Sequence, residues 1–227
     1  MLKFMSFTLA ILLLLTACNS ESSEEQQSPE EDSNLTEEGS ENAVEEQTDD
    51  EETVDIDLSA FFMPDTSTAT FLGEGNEYAS FTLRTVYMDD QHIATYEDNG
   101  GTVMLKVYRV GEHAVELVKE QAEFYEDFVA SSEELKALQP IRTYLTLPLE
   151  VGAVIENWTV TETDATVETP FQNFENAIVL ESEETEDAMN KTYFAEGYGE
   201  VKREFRMQEE GQEEFVVTSV LESVEME

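Results

Sequence analysis

The chain has 227 residues with 53 acidic against 11 basic side chains, a formal net charge of −42 at pH 7. A surface that acidic repels phosphate instead of releasing its counterions, which argues against nucleic acid and anionic headgroups as electrostatic partners. The only cysteine is Cys18, so no disulfide can form within the chain.

The first segment has to be set apart from fold reasoning. Lys3 supplies a positive start, Phe4 to Leu15 is an almost unbroken apolar run, and small Thr16 and Ala17 precede Cys18. Polar Asn19, Ser20 and Glu21 end the run well short of the ~20 apolar residues that a spanning helix needs. At Leu15-Thr16-Ala17-Cys18 the sequence resembles a bacterial lipobox. The resemblance implies a signal peptide over residues 1–17, cleavage between Ala17 and Cys18, and a thioether from the Cys18 sulfur to diacylglycerol. Two acyl chains, at about 0.8 kcal/mol per buried CH₂, anchor a protein stably where one is marginal. The implied place is the outer face of the cell membrane, exposed to the wall or the extracellular space, with the bilayer as the first partner. With Cys18 lipidated, the fold must stand on its core without a covalent staple.

Residues 18–58 read as a linker. Seventeen acids and no Lys or Arg fall between Asn19 and Leu58, among Ser, Gln, Thr and Asn. Such a stretch buries too little apolar surface to offset its ordering entropy, and its charges repel one another, so the expectation is an extended, disordered spacer. Forty residues of this kind reach roughly 35 Å on average. A tail that binds ions or a partner is the alternative.

Residues 60–227 form one β-rich domain of a size that buries about two thirds of its unfolded surface. It keeps 36 acids and 10 bases. Its expected partners are an envelope protein, a wall polymer or a small apolar ligand.

Two-residue periodicity dominates from there. In "EYASFTLRTVY" Ala79, Phe81, Leu83 and Tyr87 face one way, and Tyr78, Ser80, Thr82 and Arg84 the other. "GTVMLKVYRV" sets Val103, Leu105 and Val107 against Lys106 and Tyr108, and "HAVELVKE" sets Val115 and Leu117 against Glu116. The pattern predicts half-buried antiparallel strands with one wet face. Turns fall at Met88-Asp89-Asp90-Gln91, at "EDNGG" with its Asn99-Gly100 pair, and at Gly111-Glu112, giving a meander of four or five strands between Tyr78 and Tyr125. "SSEELKALQP" is the one helical signal of the domain, near 131–138: Ser131 and Glu134 have capping-box spacing and Pro140 stops the run. It is expected between two sheets or two halves of one.

Strands resume with "AVIENWTVTET", "ATVETPF", "NAIVLES", "KTYFAEG", "GEVKREFRM" and "EEFVVTSVLESV". The fold class is all-β, with antiparallel meander sheets forming either a curved half-barrel or a sandwich. "LPLEVGAVIENW" followed by "TYFAEGYGEVKREF" is similar to a motif pair of secreted and lipid-anchored β-rich proteins from Bacillus-like bacteria. That resemblance implies a curved antiparallel sheet, a hairpin opened by the first motif, and a late strand bent or bulged at the glycines of the second. It implies no activity and maps no site residue. Read physically, Pro148 and Gly152 bracket a turn, and Gly197 and Gly199 mark a kink or the close approach of another backbone. Trp158, Tyr193 and Phe194 read as core aromatics, an aromatic ligand platform being the sharper alternative.

Catalytic motifs are thin. His92 and His113 sit at strand ends without a zinc-binding companion motif, and no Gly-x-Ser-x-Gly elbow raises a nucleophile. No metal, cofactor or catalytic residue is assigned. The reading is a membrane-anchored, non-catalytic binding or structural module of the cell envelope. The alternative is a hydrolase of wall glycans working through two carboxylates, one raised in pKa by burial. A cavity lined by Trp158, Phe171 and Tyr193 would favour ligand carriage.

Overall fold

In the computed structural model the described residues are 56–226. Ala17 and Cys18, the leader and nearly all of the 18–58 linker lie outside them. Leu58, at the expected end of the linker, belongs to the core and is 2% exposed.

Alternation of apolar and polar residues builds twelve strands: β1 (Ser67–Glu74), β2 (Phe81–Tyr87), β3 (His92–Asp98), β4 (Val103–Val110), β5 (Ala114–Gln121), β6 (Arg142–Thr146), β7 (Val154–Ile155), β8 (Trp158–Glu168), β9 (Asn173–Thr185), β10 (Ala188–Ala195), β11 (Gly199–Met207) and β12 (Phe215–Met226). They make one antiparallel sheet in the order β6-β5-β4-β3-β2-β1-β12-β11-β10-β9-β8-β7. Two six-stranded meanders thus join where the first strand pairs with the last. The sheet curls until its edges meet: the Thr143 N–H of β6 donates to Glu156 Oε1 in the β7–β8 turn (2.7 Å), with no strand ladder between the two edges. The result is a barrel closed at all but one seam.

A 3₁₀ turn, Leu58–Phe61, precedes the sheet, capped by the Asp57 carboxylate, which accepts from the Ser59 N–H. Leu58, Phe61 and Phe62 enter one interior cluster, with Ile93, Tyr108, Leu145, Leu180 and Phe194 among its members. Met63 enters a second, with Phe71, Phe81, Phe174, Val201 and Leu221. The chain therefore plugs the barrel it is about to build. Gly199 makes room for the plug, because a Cβ there would lie 2.6 Å from the Phe61 carbonyl oxygen and 2.9 Å from the Phe62 Cα, and its φ is +69°. The expectation that a glycine of the second motif admits another backbone is met here. The first motif does open a hairpin, since Ile155 pairs with Trp158 across Glu156-Asn157. The bulge falls just beyond the glycines, as Tyr193 pairs with Lys202 but Phe194 with Glu200.

The expectation of one wet face fails over β3–β5. Ala94, Tyr96, Leu105, Val107 and Val118 on the outer face are covered by the β5–β6 connection, through Phe124, Phe128, Leu135 and Leu138. That connection contains α1 (Ser132–Ala137), with both hydrogen bonds of the predicted capping box. Contrary to expectation, α1 joins two neighbouring strands of one half and seals their outside. Lys106 and Tyr108, which the alternation sets on the wet face, point inward. Ser67 pairs with Thr85, Thr85 with Thr95, Thr95 with Lys106 and Lys106 with Glu120, a polar belt inside the barrel between the two apolar clusters.

Candidate functional site

The belt is completed from the far wall by Arg203 of β11. Its Nη1 and Nη2 donate to the two oxygens of Glu97 on β3, both at 3.1 Å, and its Nε donates to Glu200 Oε1 at 2.6 Å. Thr192 donates to the other oxygen of Glu200 (2.9 Å). The guanidinium also lies over the Phe81 ring, 4.2 Å from its centroid, well within the ~6 Å reach of a cation–π contact. A single side chain thereby ties β11 to β3 across the lumen. Planarity and five fixed donors make arginine suited to that double grip, which lysine cannot reproduce.

The charges of the belt shift their own titration. Burial alone would raise the Glu97 pKa, but Arg203 and then Lys106 outweigh it and hold the carboxyl below its ordinary range. Burial opposes the charge on Arg203, yet Glu200 and Glu97 more than offset that and keep the cation firmly protonated. Above the belt, burial and then the neighbouring carboxylates Glu97 and Glu200 raise the Tyr108 phenol. Burial and then Tyr108 raise Tyr144. The two rings are 4.7 Å apart between centroids, and Phe62 and Phe194 pack on them.

Beside the belt, on the inner face of β8–β12, opens a cleft of about 430 Å³, which reaches the seam between β6 and β7. That volume lies in the range of small-molecule sites. Cross-strand register explains its walls. Leu180, Thr192, Arg203 and Ser219 form one continuous row, and Asn190, Phe205 and Val217 another, with Trp158 opposite on β8. Phe194, 3% exposed, forms the apolar floor, while Arg142 and Asn157 stand at the rim. Arg203, Glu200 and Tyr144 also border a smaller cavity of about 180 Å³ on the other side of the belt, so Arg203 divides the lumen in two.

Of the aromatics named from the sequence, Trp158 lines the cleft, and Phe194 is core as well as floor. Phe171 and Tyr193 do not reach it. Phe171 packs edge-on against Tyr198, 5.6 Å between centroids. Tyr193 points out of the barrel, with Lys202 Nζ 5.0 Å and Lys191 Nζ 6.0 Å from its ring centre. Burial, and then Glu204, push its phenol up to about 12. Neither histidine reaches the cleft. His92 is fully buried, not at the surface, and its Nδ1 lies 2.8 Å from Asp89 Oδ1. His113 stays exposed in the β4–β5 turn. Sequence reasoning missed Arg203, Phe205 and Asn190. Among the described residues no group of three or more His, Cys, Asp or Glu side chains is placed to hold a metal ion. Glu97 and Glu200 are both engaged by Arg203, and Glu97 is shifted opposite to what a general acid requires.

No family model matches the chain, and no curated protein matches it. Two solved structures are similar to it. One, from Bacteroides fragilis NCTC 9343, is described as an exported protein with a YmcC-like fold; it is 12% identical, with a TM-score of 0.42 over 73% of this chain and 98% of its own. The other, described as a lipoprotein from Parabacteroides distasonis ATCC 8503, is 10% identical, with a TM-score of 0.41 over 73% and 98%. Neither likeness bears on what this chain binds or does.

Proposed function

We propose that the protein is a lipoprotein of the outer face of the cell membrane, anchored through diacylglycerol on Cys18, and that its β domain is a non-catalytic binding module of the envelope. The anchor rests on the Leu15-Thr16-Ala17-Cys18 sequence and the acidic run behind it. The binding role rests on one observation, the cleft of about 430 Å³ walled by Trp158, Phe194 and Phe205 on the inner face of the second half-sheet. A barrel with no ligand to hold buries such aromatics against each other, as Phe71 and Phe81 do at 4.3 Å. Trp158 and Phe205 instead keep half-exposed faces toward an open space.

Thermal unfolding in the presence of a cell-envelope extract tests the module. Binding to the folded state alone raises the midpoint by mass action, by a few degrees once the ligand is well above its Kd. The protein should show that rise, and Asn190→Trp, which fills the cleft, should lose it while keeping its own midpoint. An equal response from both would remove the cleft as the site. For the anchor, Cys18→Ala should no longer incorporate labelled fatty acid and should leave the membrane fraction; retention of that variant with its label would refute the tether.

A further inference from the structure

We infer that the cleft takes a neutral saccharide, seated on the face of Trp158. The inference rests on the cleft being a binding site, as proposed above, and it names what that site recognises.

Every charged group of the lining already has a partner. Arg203 is held by Glu97 and Glu200, Arg142 donates to both oxygens of Glu120 (3.1 and 2.9 Å), and Glu156 accepts from the Thr143 N–H. Lys191 is paired with Glu181, and Glu204 with Lys202 and Arg206. No cation is left over to select an anion, and of the lining carboxylates only Glu156, exposed in the β7–β8 turn, has no cationic partner. The neutral groups differ. Asn157 donates from Nδ2 to Ser182 Oγ (2.9 Å) and Asn190 from Nδ2 to Glu184 Oε1 (2.7 Å), so each carboxamide keeps its oxygen without a donor among the described residues. The indole N–H of Trp158 has no protein acceptor among them either.

What remains to be satisfied is therefore a set of uncharged donors and acceptors around aromatic faces. An acyl chain would cover the Asn157 and Asn190 carboxamides and the indole N–H without giving them a partner, at a cost of about 1–3 kcal/mol for each group so buried. A polyanion is disfavoured by the acid excess of the domain, 36 acids against 10 bases beyond the linker. A sugar ring satisfies both demands: its hydroxyls replace the water on the amides, and its polarised C–H face lies against the negative face of the indole.

Trp158 is the only tryptophan in the chain, so its emission reports the cleft alone. The purified protein is titrated with four probes: an N-acetylglucosamine tetramer, cellotetraose, palmitate and polyglycerol phosphate. At least one neutral tetrasaccharide should change the Trp158 emission saturably, and palmitate and polyglycerol phosphate should not. Phe205→Ala and Asn190→Ala should each weaken the sugar by about tenfold, the size expected for losing one good contact; Asn190, half-exposed, keeps the test open if Phe205→Ala fails to fold. Should palmitate or polyglycerol phosphate act and neither sugar do so, the saccharide is wrong while the cleft stands as a site. Should no probe move the emission, the saccharide is overturned, and the envelope-extract experiment with Asn190→Trp decides separately whether the cleft binds anything.

Discussion

The two halves of the sheet are built from the same antiparallel meander and dispose of their faces differently. In β1–β6 the outer face is sealed by the connection carrying α1, and Leu105 and Val107 on it are 0% exposed. In β7–β12 no such layer lies on the strands, and a ladder of ion pairs, Glu181 with Lys191 and Glu204 with Lys202 and Arg206, takes its place, with the Glu204 carboxylate only 4% accessible. Inside, the order reverses. The first half packs the plug and its own aromatics tightly, whereas the second leaves the open cleft. The first half supplies the rigid wall, and the second presents the site against it.

Arg203 is where the halves hold each other, and its loss carries the largest effect. Arg203→Met keeps an unbranched apolar stem but leaves Glu97 and Glu200 facing each other's charge inside, and breaking a buried pair in this way costs about 3–5 kcal/mol. Part of that is softened by water in the cleft, since the arginine side chain is 36% accessible. The pH dependence separates the cause from a simple packing defect. Glu97 is held below its ordinary range in the folded protein, so its contribution is present above the unfolded carboxylate pKa of about 4.3 and fades as the pH falls through the lower folded value. Without Arg203 only Lys106 opposes burial, and the downward shift of Glu97 should be lost. The stability gap between protein and variant, from urea midpoints, should therefore be widest near neutral pH and narrow toward about pH 3. A gap independent of pH would mean that Arg203 matters for its volume alone.

Next in size is the contrast between the two outer faces. Leu105→Ala opens a cavity beneath the α1 connection and should cost about 2–5 kcal/mol, the range for a leucine lost from a packed interior. Tyr193→Ala removes a larger but half-buried side chain from the second half, where it lies among lysine stems and against buried neighbours; it should cost less, about 1–2 kcal/mol, as for a partly desolvated cation–π contact. Equal losses of denaturation midpoint would show that the connection covers β3–β5 without packing on them.

How far such faces can be told apart from the sequence is instructive. The strand alternation, the hairpins, the capping box of α1 and the all-β class all follow from local chemistry, and all are found. Alternation sorts Val103, Leu105 and Val107 from Lys106 and Tyr108 correctly, but it cannot say which set is inside, because both are covered. The cleft was half legible for a similar reason. Trp158 stood out as the lone tryptophan, whereas in "GEVKREF" Arg203 sits on the apolar face with Val201 and Phe205, opposite an all-charged face of Glu200, Lys202 and Glu204. The bulge between Tyr193 and Phe194 then shifts the register by one, and one residue of slip exchanges the faces. The strand β1 was missed since "STATFLGE" is small and polar; its Ala69 and Phe71 are buried by β2 and β12 on either side, pairings distant in the chain.

The plug gives a smaller contrast, drawn between two glycines of the second half. Gly199→Ala strains a residue at φ +69° and drives a Cβ into the Phe61–Phe62 backbone, which should cost about 2–3 kcal/mol from strain and displaced packing together. Gly152→Ala carries a similar φ, +91°, with nothing within 4 Å of the added carbon, and should lose only about 1 kcal/mol. Comparable urea midpoints for the two variants would mean that the 3₁₀ turn is not held by β11.

The smallest effect sharpens the first half's covered face at its margin. Arg84 of β2 donates to Asp127 Oδ1 at 2.7 Å and lies 4.0 Å above the Tyr96 ring, so one guanidinium takes part in an ion pair and a cation–π contact together. The Asp127 carboxylate is 76% accessible, and a pair that open to solvent is screened and contributes at most about 0.5 kcal/mol. Asp127→Asn should therefore leave the denaturation midpoint nearly unchanged, and raising the salt concentration should erase what difference there is. Arg84→Ala should cost more, about 1 kcal/mol, because the stacked guanidinium also shields the buried Tyr96 ring, and that loss should persist in high salt. If salt removed the Arg84→Ala loss as well, the connection over β3–β5 would be pinned at this corner by charge and not by packing.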